Sequence, residues 1–451
     1  MPVAKLAAAT LRTSRRSTLL TPRIALLLTL LAGTPLSAQR SVTRREAIEM
    51  ALAASPRLAL ARADSAAARA RVITARAHPN PSVSGSYSKS TPQGHVVFDV
   101  PLESPRLRGA RIGAATASIR AARLTFLSER AAAVVEVDTT YTQALASQAR
   151  FRLSRLTAIE SDSLRRFTVA QRDAGDASDL DVDLASITAG QQSNAASADS
   201  LAFMSAVLTL QTLMGLSPDT LLISLVDSLR LVPLDTVPTL PTGGDAQRTT
   251  PLVLAIPSAI DAAAAPLPSP TATALMPRIA AAEANVQAAE LSVLRERRSV
   301  FQWPALSFGV EFHDPTGSET GLLPLVGLAL PLPLFNRNRG PIAEAEAERD
   351  RAHAELASVR LEVKQRLIEG LREREALRVQ IRRDIELVVR AQRVATRSLT
   401  AYREGASTLP AVLEARRSAR EVLGQYIDDV AALLTVNTEL RALTQTVTPA
   451  P

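Results

Sequence analysis

The sequence predicts a mainly α-helical chain with membrane-crossing β-strands, built as two tandem repeats. Each repeat holds a long helical hairpin and a pair of strands. Three observations carry this. Two stretches, Arg106 to Ser217 and Ile342 to Leu409, contain no proline, so nothing in them breaks a helix by removing a donor and crowding the preceding turn. Four short segments alternate apolar and polar residues, the period of a strand with two unlike faces. The marked glycines Gly109 and Gly175 lie 66 residues apart and Gly340 and Gly405 lie 65 apart, a spacing that unrelated halves would not keep.

The expected organisation is 1–38 signal peptide, 39–217 first repeat, 218–275 connector, 276–445 second repeat and 446–451 tail. Lys5, Arg12, Arg15, Arg16 and Arg23 precede the apolar run Ile24–Ala32, and Leu36-Ser37-Ala38 has the small-residue form of a cleavage site. This is a secretory signal, too short to span a bilayer as a helix, which needs about 20 residues. Ser14-Arg15-Arg16 resembles a twin-arginine signal, yet Ser17-Thr18 lacks its bulky apolar residue, so general secretion is favoured.

Composition narrows the function. The net charge is +8, but the five basic residues of the leader supply most of it, and 49 Arg and three Lys are interspersed with acids. No basic stripe or motif points to nucleic acid. The absence of cysteine excludes disulfides, thiolate metal sites and a lipid-anchored cysteine. Aromatics at 3% are few for a compact globule and suit extended helices packed through Ala and Leu.

In the first repeat an alanine-rich helix is expected over Arg45–Ala77, and in the second a similar helix runs from Met276-Pro277 to about Ser299. Strands follow. Val83, Gly85 and Tyr87 interleave with serines, and Val96, Phe98 and Val100 return after the turn Thr91–Gly94. Leu306, Phe308, Val310 and Phe312 alternate with polar residues, and Val326, Leu328, Leu330 and Leu332 form the return. Strands of roughly nine to eleven residues cross a bilayer when tilted. Four cannot close a barrel and open edges are not tolerated in lipid, so copies must associate; three would supply twelve strands.

The proline-free helices are about 100 Å long. Ile381, Ile385, Val388, Gln392, Ala395, Leu399 and Tyr402 step by fours and threes, as do Val134, Val137, Tyr141, Ala144, Gln148 and Phe151. These are coiled-coil seams. After Gly175 and Gly405 each helix turns and runs back. The connector holds ten of the 28 prolines if Pro277 is included, which suits an irregular segment.

The signal peptide, the repeats, the handover Pro331-Leu332-Pro333-Leu334-Phe335-Asn336-Arg337-Asn338-Arg339-Gly340, and the tips Ala174–Ala185 (AGDASDLDVDLA) and Glu404–Ala415 (EGASTLPAVLEA) resemble the TolC-like outer-membrane efflux proteins. The form of the handover (Pro333, Phe335, Asn336, Arg337, Gly340) is similar to that of the CzcC-type heavy-metal efflux branch. The resemblance implies a homotrimer in outer-membrane lipid, with a twelve-stranded barrel and a twelve-helix periplasmic tube. It also implies a periplasmic adaptor docking at the tips (Gly175, Asp176, Gly405, Ala406) and an inner-membrane pump of the RND type. The substrate implied is first heavy-metal cations, with drugs, other small molecules or type I secretion as the alternative.

The same resemblance implies that Asp181 and Glu414, with Asp183 beside them, are acids of the periplasmic mouth and that Tyr402 helps to hold it shut. Ala411 and Ser407 depart from the family's closing network, while Asp176 and Asp179 also suit a helix N-terminus through its dipole. No catalytic or cofactor-binding constellation is expected. His78, His95, His313 and His353 do not converge as metal ligands would; His95 and His313 suit a loop or lumen and His353 a solvated helix face. A periplasmic coiled-coil scaffold or adaptor is the alternative of another class, and the paired strands argue against it.

Overall fold

The computed structural model describes residues 40–89, 93–217, 223–229, 276–301, 303–312 and 321–444. The signal segment, most of the connector, His313 and the tail lie outside the described residues. In order come β1 (Ser41–Val42), α1 (Arg44–Ala54), α2 (Pro56–Arg76), β2 (Ser82–Tyr87), β3 (Gly94–Pro101), α3 (Pro105–Asp173) and α4 (Asp179–Leu213). There follow β4 (Ser224–Leu225), α5 (Pro277–Arg298), β5 (Ala305–Phe312), β6 (Leu323–Ala329), α6 (Arg339–Arg403) and α7 (Leu409–Thr444).

The single helix expected over Arg45–Ala77 is two. Ser55 sits at φ −60°, ψ 120° between α1 and α2, because Pro56 crowds a helical conformation in the residue before it. The Ser55 hydroxyl then accepts from the Leu58 amide at 3.5 Å and starts α2 with its proline in the first turn.

Four strands form one antiparallel sheet in the order β2-β3-β5-β6, so the two repeats join between β3 and β5. The strands hold 6, 8, 8 and 7 residues, fewer than the nine to eleven expected. Prolines at 101, 331 and 333 cannot donate to a ladder, and β6 stops at Ala329, leaving Leu330 and Leu332 beyond it.

Helix α3 contains 69 residues and α6 contains 65, about 100 Å each at 1.5 Å per residue. α4 folds back on α3 and α7 on α6, while α2 and α5 flank α3, and α5 also packs against α6. The repeats meet again where α3 contacts α7. The predicted seams are buried where those helices meet, at Val137, Tyr141, Ala144, Ile381 and Val388, in a core shared with Leu210, Met214, Tyr426 and Ile427. One feature had no sequence signal: β1 pairs parallel with β4, tying the segment before α1 to the connector. No described helix is long and apolar enough to cross a membrane.

Candidate functional site

The sheet segregates its faces through register. Val83 is paired with Phe98, Phe98 with Phe308 and Phe308 with Val326, while Val100, Leu306 and Leu328 align in the same way. Opposite them, Ser82, Asp99 and Ser307 form a polar row, and so do Ser86, His95 and Glu311. His95 Nδ1 lies 3.3 Å from Glu311 Oε1, and the Ser307 hydroxyl donates to Asp99. His95 thus belongs to the polar face. Among the described residues β2 and β6 have no partner on their outer edges. A sheet apolar on one side and mostly polar on the other, where Val97, Leu323 and Leu325 are the apolar members, suits a lipid–water boundary only if further strands complete its open edges.

At one end of this sheet Phe301, Trp303, Leu330, Leu332, Leu334 and Phe335 are exposed, Phe335 fully. Aromatic side chains at such a level suit a membrane interface. The handover that follows is organised by Asn338, at φ 56° and ψ 27°. Its amide nitrogen Nδ2 donates to Glu296 O at 3.0 Å, Glu296 Oε2 at 3.0 Å and Ser299 Oγ at 2.7 Å, joining the start of α6 to the end of α5. Partial burial works against the Glu296 carboxylate, and hydrogen bonds from Asn338 and Arg295 outweigh it, holding its pKa below the usual range. Asn336 accepts from the Asn338 backbone at 3.0 Å. Pro333 and Arg337 lie in the irregular link, and Gly340 in the first turn of α6 has open space where a side chain would begin. In the first repeat Arg111 does related work, donating to Ala75 O and Ala77 O and pairing with Glu103 at 2.9 Å.

The tips are near copies. Gly175 at φ 88° and Gly405 at φ 72° adopt the left-handed conformation that closes a helix. Around them Asp176 N donates to Gln171 O at 2.8 Å and Ala406 N donates to Ala401 O at 2.7 Å. All four predicted docking residues are exposed. Asp181 completes a capping box: its carboxylate accepts from Ser178 N at 3.2 Å and Ser178 Oγ at 2.7 Å. Ala411, at the corresponding place in the second tip, cannot do so. Asp183 and Glu414 are exposed. Tyr402 is buried with Leu164, Leu399, Leu409 and Val412, edge-on to Phe167 at 6.2 Å.

Two polar groupings had no place in the sequence reading. Asp384 of α6 and Asp429 of α7, 7% and 5% exposed, neighbour each other across the hairpin, each with one carboxylate oxygen that has no hydrogen-bond partner among the described residues, and Gln425 donates to Asp429 at 2.9 Å. Burial first, then the neighbouring Asp429 carboxyl, push the Asp384 pKa from 3.8 up to about 6. Elsewhere Asp227 accepts from Tyr141 Oη at 2.8 Å and Arg44 N at 2.9 Å, while Arg44 pairs with Asp138. Burial, then Asp227, hold the Tyr141 pKa well above its ordinary value. Among the described residues no group of three or more His, Asp or Glu could hold a metal ion.

The fold has solved counterparts. A membrane protein from Pseudomonas aeruginosa is 20% identical with a TM-score of 0.66, over 89% of this chain and 93% of that one. The outer membrane protein VceC from Vibrio cholerae is 17% identical with a TM-score of 0.67, over 90% and 97%. CusC, described in terms of folding and transmembrane channel formation, is 17% identical with a TM-score of 0.66, over 89% and 91%. No curated protein sequence gives a significant match. The sequence pattern of the family described as outer membrane efflux protein matches residues 47–216 and 269–445, ranges that contain the two long helical hairpins, α3–α4 and α6–α7. With both halves covered, this chain belongs to the outer membrane efflux protein family.

Proposed function

We propose that three copies of this chain form a passive exit duct across the outer membrane, with a twelve-stranded barrel above a twelve-helix tube. The observation that carries this is the four-stranded sheet with one apolar face, one mostly polar face and two open edges. In a closed barrel the apolar rows meet lipid, and Asp99, His95 and Glu311 line the water-filled lumen. Residues 1–38 direct export. The exposed tips at Gly175–Asp176 and Gly405–Ala406 receive a periplasmic adaptor, which couples the duct to an inner-membrane pump of the RND type. Heavy-metal cations are the first substrate class, on the form of the handover motif. Drugs or other small molecules come second.

At the mouth, Asp181 and Glu414 each contribute a ring of three carboxylates, and such rings favour cations. Asp181 serves its helix cap at the same time, since a carboxylate can accept several bonds. Tyr402 acts from within the tip packing and fixes where these helices can move. The test is outer-membrane fractionation followed by planar-bilayer recording of the purified protein. A trimer with cation-selective conductance is expected, and Asp181→Asn with Glu414→Gln should lower that preference while leaving the trimer intact. Recovery as a soluble periplasmic monomer would overturn the duct; unchanged selectivity in the double variant would overturn the mouth assignment.

A further inference from the structure

We infer that the exposed faces of α6 and α4 are two halves of one junction, closed by a second copy of this chain, and that it is ionic at the tip where its counterpart within the chain is apolar. The inference rests on the trimeric reading above.

The counterpart is the packing of α3 against α7. Asp138 meets Thr438, Arg150 meets Asp428, and Glu160 meets Arg416. Each step moves ten to twelve residues down one helix and up the other, an antiparallel register held over several turns. The tip glycines, Gly175 and Gly405, set the correspondence between repeats. Counting from them, Asp138, Arg150 and Glu160 of α3 correspond to Ile368, Gln380 and Arg390 of α6, and Thr438 and Asp428 of α7 correspond to Leu208 and Ala198 of α4. The first set is engaged inside the chain, whereas the second set is exposed; Ser186, the counterpart of Arg416, is half-buried. Leu180, Ile187, Leu201 and Leu208 recur at multiples of seven along α4 and all face solvent, an apolar stripe of the kind that helices use to pair. A chain that uses one half of each surface internally and leaves the matching halves open assembles head to tail.

Charge identifies the occupant. α4 carries four aspartates and no basic residue, while residues 378–403 of α6 carry seven arginines and two acids, one of them the buried Asp384. Applying the α3–α7 register to α6 and α4 sets Arg397 opposite Asp179, Arg393 opposite Asp183, and Ile368 opposite Leu208. Among the described residues Arg393, Arg397 and Asp183 have no ion-pair partner, and Asp179 has only Arg172 at 3.8 Å. At the corresponding places inside the chain stand Phe167 and Ser163 of α3 and Leu409 and Leu413 of α7, and all but Ser163 belong to the apolar tip cluster. Asp183, grouped by the sequence with the mouth acids, is thereby a junction residue. Ion pairs at an exposed seam are screened by salt and apolar contacts are not, so the two kinds of seam in one ring respond differently to ionic strength.

The chain has no cysteine, so introduced pairs report without background. In the full-length protein in outer-membrane vesicles, Ile368→Cys with Leu208→Cys should oxidise to dimer and trimer bands that dithiothreitol removes. Val394→Cys with Val182→Cys, whose internal counterparts Leu164 and Val412 share the tip cluster, should cross-link several-fold more slowly at about 500 mM than at about 20 mM salt, where screening lengths differ. Arg393→Asp with Arg397→Asp should abolish the low-salt advantage at the tip, and Asp179→Arg with Asp183→Arg added should restore it. The Ile368–Leu208 cross-link, away from the charges, should persist throughout and shows that the variants are folded. A trimer by size that gives neither cross-link overturns the register. Tip cross-linking indifferent to salt and to reversal overturns the ionic junction. A protein that is monomeric throughout overturns the trimeric reading itself.

Discussion

Asp384 is a helical acid on the side that faces its partner helix. The sequence marks the seam through Ile381, Ile385 and Val388 but not Asp384, a charged residue one turn from Ile381 that an apolar pattern passes over. Nor does it mark the partner, because Asp429 lies on the antiparallel helix and only the hairpin brings them together. The pair has a pH consequence. The folded state holds the Asp384 proton with a pKa of about 6, against 3.8 for the unperturbed group. The stabilisation is therefore fully present below 3.8 and is lost as pH rises through about 6. Melting temperatures of wild type should fall between pH 4 and pH 7 relative to Asp384→Asn and level off above. The variant should be more stable at pH 8 by up to ~3 kcal/mol, the equivalent of two pKa units. Parallel profiles from pH 4 to 8 would show that the two carboxyls do not share a proton. Asp181 teaches a related point: the family resemblance implies its place at the mouth, while its cap with Ser178 appears only when the helix start is placed.

At the scale of elements, the long helices and their tips were the most legible, since prolines, glycines and apolar periods of three and four are local signals. Ser55-Pro56 was also visible, yet the break there was read through because the alanine-rich pattern continues on both sides. The strands were located correctly but drawn too long, since alternation of Leu with Pro past Ala329 mimics a strand that cannot form a ladder. The handover motif was recognised as a pattern; the residue that anchors it, Asn338, needed the structure, because its partners Glu296 and Ser299 sit at the end of another helix. Removing it should be costly in two ways. Asn338→Ala loses the three side-chain bonds and also places a non-glycine, non-asparagine residue at φ 56°, for an expected loss of about 2–4 kcal/mol. Asn338→Gly should recover only the backbone part. Urea titration of the refolded protein, with hydrogen exchange over 336–345, separates the two contributions. Equal stability of wild type and Asn338→Ala would remove the anchor role.

Across the whole molecule, Asp227 links segments that sequence reading kept apart. It lies in the connector, yet its carboxylate accepts from Tyr141 in α3 and from the start of α1, beside the β1–β4 pairing. Asp227→Ala removes the acceptor of the Arg44 amide and leaves the buried Tyr141 hydroxyl with Val42 O alone, at 3.1 Å, and should cost about 1–3 kcal/mol. Limited proteolysis should then cut around residues 223–229 faster, with the helical hairpins still intact; unchanged cleavage would mean that the connector is held by other contacts. The two-repeat plan was evident from glycine spacing, and its surface meaning was not, because the sequence alone does not say which copy of each repeated face is already occupied. That division of faces has a genetic consequence. If the ring closes head to tail, every member touches both neighbours through unlike surfaces, so one copy altered on both α4 and α6 spoils two of three junctions. Expressed beside an equal amount of normal chain, it would leave only about one ring in eight wholly normal in a random threefold assembly. A defect confined to either of those helices would harm a single junction in a ring that holds one altered copy, so dominance in mixed cells would track whether one helix or both carry the change.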